Sequence, residues 1–273
     1  MSTATTTPTG VNAAPAASRG TAAGDLSRLV VRALRHETRT PDALIVNIAL
    51  PVIIMILFVY VFGGAITTGS SGLAYIDFVV PTVLLMAGGY GAALTAVNVA
   101  EDMAKGMIDR FRTLPIGGWT VPASHVVTSL LRNVLATALA LAVAVALGFR
   151  PRATPAEWAL VLALVAGYVL AVSALAVAWG LLVRSAQAAG VFGFVVIFFP
   201  YVSDGVVPAE TMPGPLRSFA EHQPVTPVVE VLRALLLDQP LGNAGWLAAA
   251  WLSAGVLAGI PAAAVLFRRR TSA

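Results

Sequence analysis

Long apolar stretches alternate with short polar ones along most of the chain after residue 40. The apolar stretches approach the roughly 17 to 25 residues that a helix needs to cross a bilayer. In lipid, a helix satisfies its own backbone hydrogen bonds, whereas an isolated strand cannot. The pattern predicts six transmembrane helices, at residues 43–62, 78–97, 123–147, 158–183, 187–201 and 245–267.

The composition agrees with this prediction. Among 273 residues, 58% are hydrophobic and only 11% are charged, whereas about a quarter of the residues of soluble proteins are charged. Cysteine is absent, which excludes disulfides, thiolate metal sites and cysteine nucleophiles. We therefore predict an all-α polytopic membrane protein whose transmembrane domain occupies residues 43–267, followed by a short cytoplasmic tail at 268–273.

The first forty residues divide into two parts. Residues 1–24 consist mainly of Ser, Thr, Ala, Pro and Gly, a composition typical of a disordered tail. From residue 25, apolar residues recur at helical spacing opposite a row of arginines. This pattern predicts an amphipathic helix at residues 25–40 that lies on an anionic membrane surface. Its basic residues are Arg28, Arg32, Arg35 and Arg39.

The distribution of positive charge predicts the orientation. Six spans place thirteen of the 17 basic residues, Arg132 included, on the side of the N-terminus. The other side has only Arg150, Arg152, Arg217 and Arg233. Because basic residues accumulate on the cytoplasmic side, both termini are predicted to be cytoplasmic. The preference for Arg over Lys suggests a bacterial genome and hence a bacterial plasma membrane.

The loop between the second and third spans, residues 101–116, has the densest charge in the chain. Met103, Met107 and Phe111 follow one another at a spacing of four residues, which predicts a short amphipathic helix. Glu101, Lys105 and Asp109 form a second row of alternating charge, and Pro115 ends the pattern. A simple connection needs no apolar stripe, so we interpret the loop as a docking surface. A solvated connecting loop is the alternative.

Two stretches resemble a known family. Residues 102–116, Asp-Met-Ala-Lys-Gly-Met-Ile-Asp-Arg-Phe-Arg-Thr-Leu-Pro-Ile, look like the coupling region of ABC-2 type permeases. Val207-Pro208, Met212-Pro213-Gly214, Gln223-Pro224-Val225-Thr226-Pro227 and Leu232-Arg233 resemble the region before the last span in the daunorubicin-resistance branch of that family. The basic helix before the first span also corresponds, so the resemblance covers residues 25–267.

The resemblance implies the permease subunit of an ATP-driven exporter. Two copies of this chain and two copies of a separate ABC ATP-binding subunit would move a hydrophobic small molecule, such as a drug or antibiotic, by alternating access. ATP and Mg would bind the partner subunit, so no cofactor, metal, catalytic residue or nucleic acid is expected in this chain. The implied coupling residues are Glu101, Asp102, Met103, Lys105, Gly106, Met107, Asp109, Arg110, Phe111, Arg112 and Pro115.

Residues 203–238, between the last two spans, are predicted to form an extracellular or re-entrant segment. A helix over residues 226–237 would bury an apolar face and place Glu230 and Arg233 on the opposite face. Its role is either to pack over the neighbouring spans or, as the resemblance implies, to gate the outer end of the pathway. The candidate gate residues are Pro208, Met212, Pro213, Pro224, Pro227, Glu230 and Arg233.

Several polar residues lie within the spans or at their ends. Tyr90, Thr95, Asn98 and Asn133 are candidate pathway residues, and interhelical hydrogen bonding is the alternative. The sequence Gly255-x3-Gly259 matches a helix-contact motif. We expect such a match by chance in a chain so rich in small residues.

Other functions have weaker support. A P-loop needs Gly-x4-Gly-Lys-Ser/Thr, but the only lysine, Lys105, is followed by Gly106 and Met107. An ion-coupled secondary carrier is disfavoured because all 13 acidic residues fall in loops or near span ends. Gly69-Ser70-Ser71-Gly72 resembles an intramembrane protease motif, but Gly and Ser are ordinary choices for a loop. Export of a glycan or lipid-linked polymer remains an open alternative.

Overall fold

A computed structural model describes residues 41–64, 66, 68, 72–104 and 120–271, and this part of the chain contains helices and no strand. The predicted all-α class is confirmed for these residues. The predicted interfacial helix, with Arg28, Arg32, Arg35 and Arg39, lies outside them. So do the coupling residues Lys105, Gly106, Met107, Asp109, Arg110, Phe111, Arg112 and Pro115.

Eight α-helices follow one another through the described residues. Helix α1 continues into a π-helical turn, Leu57–Phe62, and a 3₁₀ turn, Ala209–Thr211, precedes α6. The helices are α1 (Pro41–Ile56), α2 (Tyr75–Ala104), α3 (Thr120–Ala146), α4 (Pro155–Leu182), α5 (Ala186–Tyr201), α6 (Gly214–His222), α7 (Val225–Leu237) and α8 (Ala244–Thr271).

Four of the described helices, α2, α3, α4 and α8, are long and apolar enough to cross a membrane. Helices α1 and α5 are also apolar but shorter, with apolar parts at Ala49–Phe62 and Ala186–Tyr201. At 1.5 Å per residue, α5 is about 24 Å long, whereas the hydrocarbon core of a bilayer measures about 30 Å. Each predicted span coincides with a helix, but six complete crossings remain a prediction.

Local capping explains two of the helix boundaries. At the start of α4, the Thr154 hydroxyl accepts a hydrogen bond from the Glu157 backbone N–H, and the Glu157 carboxylate accepts one from the Thr154 N–H. Pro155 occupies the first turn, where a missing N–H costs nothing. At the start of α5, the Ser185 hydroxyl accepts from the Ala188 N–H. The tight α4–α5 connection is therefore set by its own sequence.

Helix α2 lies at the centre of the fold, in contact with α1, α3, α4, α5 and α7. Small residues allow its close approach to α4, because a Cβ built on Gly180 would lie 2.5 Å from the Ala96 carbonyl oxygen. Helix α8 is peripheral and packs mainly on α4. Among the four long apolar helices, α2 is therefore the enclosed one, and α3, α4 and α8 are partly exposed.

The Gly255-x3-Gly259 motif forms the contact between α8 and α4. A Cβ on Gly259 would lie 2.8 Å from the Ala174 Cβ and from the Leu175 backbone nitrogen, and a Cβ on Gly255 would lie 3.1 Å from the Ala171 Cβ. Real Cβ atoms do not approach backbone so closely. The expectation that this motif was a chance match is therefore wrong: two helix backbones meet where both glycines leave space.

Helix α6 was not predicted from the sequence. The sequence analysis assigned no helix before residue 226 in this segment, yet Pro215 lies in the first turn of α6, where a proline is favourable. Within α6, Arg217 pairs with Glu221 on the next turn at 2.7 Å. The apolar side of the helix includes Phe219, whose ring lies 5.8 Å from that of Phe199 in α5. Pro208 thus precedes the 3₁₀ turn, and Pro213 and Pro215 mark the start of α6.

Candidate functional site

The described gate residues cluster around a buried arginine. Every residue of α7 except Glu230 is buried, and Arg233 is only 7% exposed. The prediction that Arg233 lies on an outward polar face is therefore wrong. The sequence contained a signal for this, because a helix that is apolar almost all round is normally a buried helix. Glu230, on the preceding turn, is half-buried.

Arg233 joins α7 to two other parts of the chain. Its Nη2 donates hydrogen bonds to the Asp204 carbonyl oxygen at 2.9 Å and to the Phe78 carbonyl oxygen at 3.3 Å. Nη1 lies 3.6 Å from the Asp204 carboxylate. The guanidinium also lies over the Phe78 ring, 4.1 Å from its centroid, a cation–π geometry. A single side chain thus bridges α7, the start of α2 and the segment that follows α5.

The segment after α5, residues 203–209, is fixed independently against α2. The Tyr75 hydroxyl donates to the Val206 carbonyl oxygen at 3.2 Å. The backbone of Gly205 packs so closely on Thr82 that any Cβ there would overlap the threonine side chain. Asp204 accepts a hydrogen bond from the Ala209 N–H at 2.7 Å. We call residues 203–209 together with α7 the outer cap, because they cover the first turns of α2, at the end that the predicted orientation places outside the cell.

The remaining candidate gate residues lie at the ends of the short elements. Pro208 precedes the 3₁₀ turn and Met212 follows it. Pro213 precedes α6, whereas Pro224 precedes α7 and Pro227 lies buried in the first turn of α7. Their fixed backbone angles direct the chain through this compact connection.

Charges of both signs are held close together in the outer cap. Burial raises the pKa of the Glu230 carboxyl, and the negative charge of Asp204 raises this pKa further, whereas Arg233 lowers it. Burial also lowers the pKa of Arg233, and the charges of Asp204 and Glu230 oppose that shift. Arg233 therefore offsets the repulsion between the two carboxylates.

The four polar residues predicted within the spans separate into two pairs. The Thr95 hydroxyl donates to Ser129 Oγ at 2.9 Å, and Ser129 Oγ lies 2.8 Å from Ser173 Oγ, which links α2, α3 and α4. Asn133 Nδ2 donates to the Ser129 carbonyl oxygen at 2.7 Å. Thr95 thus makes the interhelical hydrogen bond of the alternative interpretation, whereas the hydrogen bond of Asn133 lies within α3. Tyr90 is half-buried and Asn98 is exposed.

The predicted coupling loop begins as an uninterrupted continuation of α2. Glu101, Asp102 and Met103 lie in its last turns. Asp102 pairs with His125 Nε2 on α3 at 3.3 Å, a contact that the sequence analysis missed. Met103 packs on a cluster that includes Val177 and Phe267. Met103 therefore contributes to packing within the helical bundle, and its role in coupling stays a prediction.

Sequence comparisons agree with this architecture. Residues 25–237 match the family model described as ABC-2 type transporter. The chain therefore belongs to the ABC-2 type transporter family, as a multi-pass membrane protein.

Two relatives give a closer comparison. The chain is 29% identical over 211 residues to the daunorubicin resistance ABC transporter permease protein DrrB1 of Streptomyces coeruleorubidus, a match that covers 75% of this chain and 72% of the relative. It is 27% identical over 219 residues to the probable doxorubicin resistance ABC transporter permease protein DrrC of Mycobacterium tuberculosis, with 77% and 76% covered.

Proposed function

We propose that this chain is the membrane permease subunit of an ATP-driven exporter that moves a hydrophobic or amphipathic small molecule out of a bacterial cell. The family match over residues 25–237 carries the proposal. Two relatives named for daunorubicin and doxorubicin resistance support a drug-like substrate. ATP and Mg would bind a separate ATP-binding subunit. Six spans with both termini in the cytoplasm are part of this proposal.

The cytoplasmic ends of α2 and α3 are the proposed connection to the ATP-binding subunit. Helix α2 carries Glu101 and Asp102 at its end, and Asp102 contacts His125 near the start of α3. This contact holds together the two helices that flank residues 105–119. A force applied to that loop would therefore act on both helices.

The outer cap is the proposed gate. In this structure it is fixed to the first turns of α2 through Arg233, Gly205 and Tyr75. Substrate release on that side would require residues 203–209 to separate from α2. Alternating access would then couple the breaking of these outer contacts to movement at the cytoplasmic ends.

A second copy of this chain is the proposed partner within the membrane. Helix α5 presents a stripe that includes Gly190, Val191, Phe194 and Phe198, and Phe194 is 78% exposed. Neither Gly190 nor Gly193 has an atom near the position of a Cβ. Small residues beside large aromatic ones allow close helix packing in lipid. This arrangement supports a homodimer formed through α5.

If a separate subunit hydrolyses the ATP, the purified chain alone should hydrolyse none, because its sequence contains no P-loop. The complex with its ATP-binding subunit should hydrolyse ATP and export a dye from inverted vesicles. ATP-independent export by the chain alone that collapses with the proton or sodium gradient would favour an ion-coupled carrier. Export of lipid-linked glycan, but of no small hydrophobic dye, would favour the polymer alternative.

Truncating Phe111 to alanine should weaken binding of the ATP-binding subunit by about 30-fold. An aromatic anchor at the centre of an interface typically contributes about 2 kcal/mol. The measurement is co-purification of the subunit from membranes with equal amounts of inserted permease. Asp109→Arg should have a similar effect, whereas Phe219→Ala, in the outer α6, should have none. Wild-type assembly and export by both loop variants would show that residues 101–116 are only a connection.

A further inference from the structure

Glu230 is the one residue of α7 that is not buried, although its side chain is only partly open to solvent. It lies one turn before Arg233, so the two side chains share a face of the helix. Burial and the negative charge of Asp204 raise the pKa of the Glu230 carboxyl, and Arg233 offsets this shift only in part. Glu230 therefore holds a proton more readily than an exposed glutamate does.

Arg233 has a choice of two carboxylates. Its Nη1 lies 3.6 Å from the Asp204 carboxylate, whereas Glu230 acts on the guanidinium only through its charge. The buried Nε of Arg233 donates to no acceptor in the part of the chain that the structure describes. Oppositely charged side chains three residues apart on a helix can pair. Arg233 thus has an unused donor and a second possible partner one turn away.

Other charged and titratable groups surround α7 at this end of the bundle. Helix α7 contacts α2, α4, α5, α6 and α8. Helix α5 contains no charged residue, and the arginines of α8 lie at its opposite end. The remaining groups on these helices and their connections are Asp77, Arg150, Arg152, Glu157, Glu210, Arg217, Glu221, His222 and Asp238. The charges that shift the pKa of Glu230 are those of Asp204 and Arg233.

Separation of residues 203–209 from α2 would change these two neighbours differently. Asp204 would move away with its segment and water would reach Glu230, whereas Arg233 would stay one turn from Glu230 on α7. Both causes that raise the pKa of Glu230 would weaken, and the one that lowers it would remain. The closed cap therefore binds this proton more tightly than the open cap. Low pH stabilises the closed cap, and this stabilisation is lost as the pH rises through the raised pKa.

We propose that Glu230 binds a proton in the closed outer cap and releases it to water on opening, when its carboxylate takes Arg233 from Asp204. The proton leaves and returns on the same side of the membrane, so no ion gradient is added to the energy of export. The inference rests on the proposed role of the outer cap as a gate. It adds control of that gate by the pH of the outer solution.

The test measures opening of the cap through Ser203→Cys, a fully buried position in a chain without cysteine. The full chain in nanodiscs reacts with an impermeant maleimide between about pH 5 and about pH 8, with and without Glu230→Gln. The ratio of the two rates cancels the ionisation of the thiol itself. It should be near one at low pH and then rise, by at most about tenfold per pH unit because one proton is released.

Three further variants identify the group that titrates. Asp204→Asn should make the pH dependence smaller, because it removes a charge that raises the pKa of Glu230 and keeps an acceptor for the Ala209 N–H. Glu221→Gln and His222→Gln, at exposed positions of α6, should leave the profile unchanged. A profile that His222→Gln abolishes would assign the titration to the histidine and overturn the proposal.

A ratio that stays constant over this pH range would also overturn the proposal, as would an unchanged profile in Asp204→Asn, which is informative even if Glu230→Gln does not fold. The complex with the ATP-binding subunit separates this switch from the export function. ATP-driven export with the same dependence on outer pH in wild type and Glu230→Gln would refute the switch and leave export intact. The expected labelling profile in a complex that exports nothing would support the switch and refute the proposed function.

Discussion

Replacing Arg233 by methionine should lower the free energy of unfolding by about 2 to 4 kcal/mol. Loss of one partner from a buried charged pair is costly, because the remaining group keeps its desolvation penalty. Here the Asp204 carboxylate loses its cation, and the Phe78 and Asp204 carbonyl oxygens lose their donor. Methionine retains much of the apolar contact with Phe78. Thermal unfolding of the detergent-solubilised protein measures the effect.

Arg217→Met is the matched control for this change. Arg217 pairs with Glu221 at 2.7 Å, but its side chain is 50% exposed, and an exposed pair of this type contributes little to stability. The control should therefore shift the midpoint of unfolding only slightly. Equal stability losses in the two variants would show that Arg233 is not a special contact of the outer cap.

The Arg233→Met variant can also show whether loss of this arginine opens the outer cap. Because the chain has no cysteine, a single Ser203→Cys provides a unique label site at a fully buried position. In an otherwise wild-type background it should react slowly with an impermeant maleimide, and Arg233→Met should accelerate the reaction. Leu241→Cys, at an exposed position, should react rapidly in both backgrounds.

Protonation of Glu230 should partly offset the loss of stability caused by Arg233→Met. The pKa of Glu230 is raised by burial and by Asp204, and removing Arg233 removes the opposing shift. The folded protein then binds this proton more tightly than the unfolded chain, so its stability increases as the pH falls through the raised pKa. The defect of Arg233→Met should be smaller at low pH than at neutral pH, and Glu230→Gln should remove that difference.

Gly259→Leu should destabilise the protein by about 3 kcal/mol or more, through forced separation of α8 from α4. A Cβ at this position meets the Ala174 carbonyl carbon and the Leu175 nitrogen at 2.8 Å. Those atoms belong to a helix backbone and cannot move aside individually, and overpacking of well-packed sites commonly costs about 1 to 3 kcal/mol. Thermal unfolding and the fraction of monodisperse protein after detergent extraction measure the effect.

Gly245→Leu provides the control within the same helix. No atom lies within 4 Å of the position of its Cβ, so the larger side chain changes only the helix propensity, which favours leucine over glycine. The control should be neutral or slightly stabilising. A similar loss of stability in both variants would indicate a general intolerance of α8 to large residues, and not a specific contact of Gly259.

The helical architecture was accessible from the sequence because each span is a local feature. A run of about twenty apolar residues can satisfy its backbone in lipid only as a helix, and residues such as Thr154, Pro155 and Glu157 define a helix start without reference to distant parts of the chain. The six predicted spans consequently coincide with helices. The predicted start of α7, residue 226, differs by one residue from the observed start at Val225.

The contacts of the candidate sites were less accessible, because they depend on which helices become neighbours. Arg233 has Phe78 as a partner 155 residues away, and no local pattern identifies that pairing. Gly259 is required only because the backbone of α4 lies against it, and Arg132 finds its hydrogen-bond acceptor only because Gly91 of α2 lies beside it. The charge of Arg132 within an apolar run was visible in the sequence, but its hydrogen-bond partner on α2 was not.

Three helices are tied together at one end of the bundle. The Trp179 indole donates from α4 to the Ala188 carbonyl oxygen of α5 at 3.1 Å, and Arg270 of α8 donates to the Val183 carbonyl oxygen at 2.6 Å. The bond from Arg270 satisfies a carbonyl group at the end of α4, where no further turn of the helix supplies a donor. Hydrogen bonds therefore hold α4, α5 and α8 together at this end. Relative tilts between them produce the smallest displacement at this end and the largest at the opposite end, where α5 leads into the outer cap.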